Sequence, residues 1–212
     1  MNARPPCTGV ILAGGQATRY GGAAKGLERV GGRRIVDRVA DALSGCTSSL
    51  LVIANDPAAD SWLPGVPCEG DIRPGAGGLG GIHAALVHAG TAVLVVAWDM
   101  PFVPPTLLES LRAAGETADA AAPESGSRRG IEPLCAYYAP SCLPAIERRL
   151  DAGDRRVIGF HEEITLVRLP AAEVARHGDP ALLFLNVNSP DDLALAERHA
   201  AAADGGRDRK EE

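Results

Sequence analysis

Three charged residues are placed for chemistry. Arg19 lies within a glycine-rich run, Lys25 ends it, and Asp99 follows an uninterrupted apolar segment. The run reads Gly14-Gly15-Gln16-Ala17-Thr18-Arg19-Tyr20-Gly21-Gly22-Ala23-Ala24-Lys25, directly after the apolar stretch Thr8–Ala13. Glycines at the end of a buried strand let the chain turn sharply and bring backbone N–H groups close to a ligand, and a triphosphate rewards such donors. The two cations would stabilise a pentavalent phosphorus transition state more than its ground state, because negative charge builds on the equatorial oxygens. Without further context, the same run is equally a turn carrying two solvated cations. Two common phosphate motifs are excluded. The glycines are adjacent, so G-x-G-x-x-G is absent after the first strand, and Lys25 sits between Ala24 and Gly26 instead of in Gly-Lys-Ser/Thr.

Asp99 closes Ala92–Trp98, so its carboxylate is expected in the crevice at the carboxyl ends of the strands, where open α/β sheets bind ligands. Mg²⁺ takes one or two carboxylates plus phosphate oxygens and water, so a single aspartate is adequate for a nucleotide-bound ion. The competing role is a helix cap for the segment opening at Pro104. Asp71 precedes a second glycine cluster, Gly77-Gly78-Leu79-Gly80-Gly81, able to hold backbone against a flat base or ribose; its bland reading is a surface turn. Asn55, in Asn55-Asp56-Pro57, could bond a base edge or simply form a turn. Asn186 and Asn188 end an apolar stretch, and strand alternation would put them on one face, with Asn188 either capping the next helix or completing the metal and acceptor site. Arg156, beside Arg155, could meet an anionic acceptor, although a charged pair is more often solvated surface. The five histidines show no metal spacing.

The elements that must position these residues alternate. Thr8–Ala13, Ser49–Ala54 and Ala92–Ala97 are predicted as buried strands, and Arg34–Leu43, the stretch after Gly77 and the stretch after Pro104 as helices. That order predicts a doubly wound sheet. In the second half, Asp119–Ala122, Leu134–Tyr138, Thr165–Leu169 and Leu182–Val187 are predicted strands, and Ser141–Leu150 and Pro190–Ala203 helices. The fold class is α/β: one three-layer Rossmann-like sandwich over residues 1–203 with a mostly parallel central sheet. A charged tail, 204–212, is expected to be disordered.

A chain of 212 residues can bury a sizeable core, and with only 4% aromatics that core must be aliphatic, as buried parallel strands require. The net charge of −6 argues against nucleic acid as a partner. Five cysteines without a C-x-x-C pair indicate neither zinc cage nor disulfide framework. No apolar stretch is long enough to span a bilayer and the N-terminus is no signal peptide, so a cytoplasmic location without membrane contact is expected.

Taken together, Leu12-Ala13-Gly14-Gly15, Thr18-Arg19, Gly21-Gly22 and Lys25-Gly26 resemble the nucleotide-binding signature of the molybdenum cofactor guanylyltransferases. Asp71 before Gly77–Ile82, then Asp99-Met100-Pro101-Phe102-Val103, Glu132-Pro133-Leu134, Arg155-Arg156-Val157 and Asn186-Val187-Asn188-Ser189-Pro190 follow in that family's order. The resemblance implies a nucleotide-diphospho-sugar transferase-like fold and a Mg²⁺-dependent enzyme. That enzyme joins GTP to molybdenum-bound molybdopterin, giving the guanine dinucleotide cofactor and pyrophosphate. It implies nucleotide contacts from Leu12, Ala13, Gly14, Gly15, Lys25, Asn55, Asp71 and Gly78, and phosphate contacts from Arg19 and Lys25. Asp99 would hold the metal, Arg156, Asn186 and Asn188 would face the acceptor, and molybdoenzyme maturation proteins would be transient partners. The rivals are a CTP-dependent relative and a non-catalytic cofactor carrier. Gly14-Gly15, where cytidylyltransferases typically have Ala-Gly, favours guanine, and the joint presence of Arg19, Lys25 and Asp99 favours an enzyme.

Overall fold

A computed structural model describes residues 4–14 and 25–205. Seven strands form the main sheet: β1 (Cys7–Ala13), β4 (Ser49–Ala54), β5 (Cys68–Glu69), β6 (Ala92–Ala97), β7 (Ala120–Pro123), β8 (Cys135–Tyr138) and β9 (Leu166–Leu169). β2 (Arg29–Val30) and β3 (Arg33–Arg34) make a separate hairpin. The sheet order is β5-β4-β1-β6-β8-β7-β9, and β8 alone runs against the others, pairing antiparallel with both β6 and β7. The sheet is therefore mostly parallel, as the aliphatic runs predicted.

Those runs are continuous because both faces of each central strand are buried. On β1, Ile11 and Ala13 face one core while Val10 and Leu12 face the other, and β4 and β6 alternate the same way. Helices α1 (Ile35–Ser44) and α3 (Pro105–Gly115) fill the first core; α2 (Gly77–Ala89) and α4 (Leu143–Asp151) fill the second. α1 is amphipathic, burying Ile35, Val36, Val39 and Leu43. α2 is buried from Leu79 to Leu86, and it stops where Gly90 takes the left-handed conformation at φ 61°. Each large aliphatic side chain so buried stabilises the fold by about 1.5–3 kcal/mol relative to exposure.

From β1 the chain crosses to β4 on one side and later returns to β6 on the other, so the loops leaving β1, β4 and β6 open a crevice at one edge of the sheet. The register Leu12↔Ile53 and Leu12↔Ala97 brings Gly14, Asn55 and Asp99 to that edge together. Two short helices, α5 (Ala171–Val174) and α6 (Pro180–Leu183), lead to the last helix, α7 (Pro190–Gly205). The expected strand over Leu182–Val187 does not form. Pro180 at the start of a helical turn, capped by the Asp179 side chain, starts α6 there instead, and the following residues are irregular. α7 packs on β2, and the Glu197 carboxylate accepts from Gly31 N–H of the hairpin at 3.1 Å. Residues 206–212 of the expected tail lie outside the described residues. Among the described residues no helix is long and apolar enough to cross a membrane, and all five cysteines are free thiols.

Candidate active site

Asp99 leaves the end of β6 as expected and lines a pocket at the carboxyl edge with Leu12, Ala13, Gly14 and Trp98. It does not cap α3, whose N-cap is Pro104 with no side-chain hydrogen bond. Its backbone carbonyl accepts from Val187 N–H at 2.9 Å, tying the metal candidate to the segment before α7. Burial raises its carboxyl pKa above the usual aspartate range, while a bond from its own N–H and the charge of Lys25 oppose that shift. A second carboxylate, Glu132, is only 8% exposed and lies just before β8 on the same edge. Burial raises it too, and the charge of Asp99 raises it further. Two buried carboxylates whose pKa values are both raised chiefly by burial, one of them also by the charge of the other, make a place where a divalent ion could be held. Among the described residues no group of three or more His, Cys, Asp or Glu could form a closed metal cage, which suits an ion that completes its shell with phosphate oxygens and water.

Lys25 opens a single turn of 3-10 helix, and its Nζ donates to Asn188 Oδ1 at 2.7 Å. The next residue, Gly26, lies flat on Trp98: a Cβ there would sit 2.4 Å from Trp98 Cε3. Trp98 cannot simply withdraw, since its ring stacks on Trp62 with centroids 4.8 Å apart and its backbone N–H donates to Leu12 O at 3.1 Å. Glycine at 26 thus lets Lys25 approach the residue preceding Asp99.

Across the pocket, Asn55 and Asp71 hold each other. Asn55 Nδ2 donates to Asp71 Oδ2 at 2.8 Å, and Asp71 N–H donates to Asn55 Oδ1 at 2.8 Å. Both line the pocket. The two polar atoms of the Asn55 amide thus brace Asp71, whose Oδ1 takes no part in that pair. Gly77 and Gly78 reach the pocket from the first turn of α2, where no side chain caps the backbone N–H groups. Gly77 has φ 62°, and a Cβ at Gly81 would press within 3.3 Å of Leu12, so these glycines let the helix end close on β1.

Gly15 and Arg19 lie outside the described residues. Asn186 lines the pocket and donates to Phe184 O at 2.9 Å, whereas Asn188 serves Lys25, so the expected common strand face is replaced by an irregular segment with separate duties. Asn188 is not the helix cap. Ser189 is, with its Oγ accepting from Asp192 N–H at 3.2 Å while Asp192 accepts back from Asn188 N–H and Ser189 Oγ. Arg156 is exposed and fully engaged by Asp154 through its Nε, Nη2 and backbone N–H, so it is not among the pocket-lining residues. Sequence reasoning quoted Glu132 only as part of a family segment and gave neither it nor Trp98 a role; the signal for Glu132 was a carboxylate just before a buried strand, CAYY, that has no charged residue of its own to place at that edge.

The MobA-like NTP transferase domain family matches residues 9–164. The chain is 34% identical over 203 residues to a molybdenum cofactor guanylyltransferase of Desulfosudis oleivorans, covering 94% of this chain and 97% of that protein. It is 38% identical over 192 residues to one of Cereibacter sphaeroides, covering 89% and 94%. Among solved structures, molybdopterin-guanine dinucleotide biosynthesis protein A from Archaeoglobus fulgidus superposes with a TM-score of 0.78 at 30% identity, over 92% of this chain and 99% of that one.

Proposed function

This chain belongs to the MobA-like NTP transferase family of nucleotidyltransferases, and from that premise we propose that it transfers GMP from GTP to the terminal phosphate of molybdenum-bound molybdopterin, releasing pyrophosphate. The observation that carries the reading is Asp99 at the end of β6, lining one crevice with Leu12, Ala13 and Gly14 and with the braced Asp71. Relatives along nearly the whole chain bear the name of that guanylyl transfer.

In this reading the guanosine lies over β4 and β5, where Asp71 Oδ1 accepts from its N–H or hydroxyl donors and the first turn of α2 offers backbone N–H groups. Leu12, Ala13 and Gly14 form the floor under the phosphates. Asp99 would hold Mg²⁺, which supplies charge neutralisation at the phosphate oxygens when bound. Lys25, with Arg19, meets the charge that accumulates on the departing pyrophosphate. An acceptor phosphate oxygen bonds to the α-phosphorus in line as the bond to the bridging oxygen of the β-phosphate breaks. A phosphate monoester is already largely ionised at neutral pH, so no protein base has to take a proton.

The test is pyrophosphate release from GTP and, separately, from CTP, with Mg²⁺ and molybdate-loaded molybdopterin. Release from GTP alone is expected. Release from CTP alone would reassign the base, and release from neither would leave a cofactor-binding protein.

A further inference from the structure

Asp99 divides the carboxyl edge of the sheet into two halves. Asn55 and Asp71 follow β4 and β5 on one side; β8, β7 and β9 make up the other. β7 runs parallel to β6, so the connection from β7 to β8 emerges at the same edge as Asp99, on the side away from the nucleotide residues. That connection is a closed turn. The Glu124↔Ile131 bridge shuts it, Ser125 N–H donates to Gly130 O at 3.1 Å, Gly130 N–H donates to Ser127 O at 2.9 Å, and Ser127 Oγ donates to Ile131 O at 3.0 Å. Arg128 and Arg129 are held at its tip, both exposed.

Among the described residues neither guanidinium makes a hydrogen bond or ion pair. Arg156 is taken by Asp154, Arg73 by Asp151, and Arg148 and Arg149 by Glu163. The carboxylates flanking the loop do not neutralise the pair either. Glu124 accepts from Ala171 N–H, and Glu132 is buried, with the charges of Arg129 and Asp99 acting on it in opposite directions. The loop thus leaves the sheet at the edge that carries Asp99, with the charge of Arg129 reaching Glu132 at that edge. An acceptor carrying a phosphate dianion must come up against a triphosphate, and two adjacent guanidinium groups offset that repulsion while offering paired N–H donors to phosphate oxygens.

Resting on the guanylyltransferase reading for the identity of the acceptor, we propose that the β7–β8 loop is the acceptor-binding element, with Arg128 and Arg129 gripping the acceptor's phosphate monoester on the far side of Asp99 from the nucleotide. The test is the R128A/R129A double variant, whose substitutions lie on the surface and leave the core intact. Equilibrium binding of molybdate-loaded molybdopterin, measured without nucleotide, should weaken by about ten-fold or more, since charge-assisted bonds to phosphate are lost. The salt dependence of that binding should flatten, and R128K/R129K should recover part of the affinity. In steady state the KM for the acceptor should rise while the KM for GTP stays within about two-fold. Acceptor affinity and salt dependence indistinguishable from the unsubstituted protein would overturn the proposal, as would an equal rise in the KM for GTP. The binding measurement needs no turnover, so a failure of the guanylyltransferase assay and a failure of this assignment appear in different experiments.

Discussion

Lys25 Nζ donates to Asn188 Oδ1 at 2.7 Å, across 163 residues of sequence. The ammonium that would meet the phosphates is thus aimed by a residue from the segment before α7, and the two should fail in graded fashion. Lys25→Ala should slow turnover by about 10²-fold, through loss of charge stabilisation in the transition state. Asn188→Ala, which frees the lysine without removing it, should cost about ten-fold. Steady-state pyrophosphate release checks both; equal rates for Lys25→Ala and the unsubstituted protein would remove the lysine from the mechanism.

Asp99→Asn keeps the shape and removes the charge that a hard cation requires. The Mg²⁺ concentration giving half-maximal turnover should rise by about ten-fold or more with the circular dichroism spectrum unchanged. A magnesium titration that superimposes on the unsubstituted one would place the metal elsewhere.

Asn55→Ala deletes both hydrogen bonds that hold Asp71. The expected result is a KM for GTP raised by about ten-fold, with kcat changed less, because the loss falls on nucleotide binding ahead of the chemical step. An effect confined to kcat would contradict the bracing role.

Gly26→Ala would place a methyl 2.4 Å from Trp98 Cε3, against a ring already stacked on Trp62. Such overpacking should cost about 1–3 kcal/mol in urea unfolding and lower turnover by displacing Lys25. Trp98→Leu in the same chain, by making room, should recover part of the stability.

His161 is the pH-sensitive element of the fold. Burial first, and the charge of Arg168 second, lower its pKa from 6.5 to about 4, and its Nε2 is buried without a partner. The unfolded chain takes up the proton near 6.5 and the folded one only near 4, so this contribution to stability is complete above 6.5 and is lost as the pH falls toward 4. The melting temperature should therefore decline through that window, and His161→Phe, which keeps the ring contacts with Phe160 and Tyr138, should decline less.

The central strands β1, β4 and β6 were readable because they are buried on both faces and therefore uniformly aliphatic, and because the glycines and Asp99 fall at their carboxyl ends. β7, β8 and β9 also formed where strands were expected, but the direction of β8 and the course of the chain after β9 were not legible. Leu182–Val187 has the composition of a strand, but Pro180 and Asp179 start a helical turn there, a local cap overriding a weak strand preference. The antiparallel insertion of β8 leaves no mark in composition, since strands buried on both faces read alike in either direction. For the same reason nothing in the sequence placed Glu132 near Asp99, 33 residues before it, or told Arg156, bound to Asp154, from Arg128 and Arg129, which are not. Partnership between distant charges is decided by packing.

The last helix and the segment leading into it fasten the chain between β1 and α1 at two points, Asn188 on Lys25 and Glu197 on the hairpin backbone at Gly31. Every strand of the sheet is synthesised before either fastening residue leaves the ribosome. A nascent chain can therefore complete its framework while the cation meant for the phosphates is still unaimed. Competence waits on a segment made after the whole sheet, so that aiming the cation follows the framework in order of synthesis.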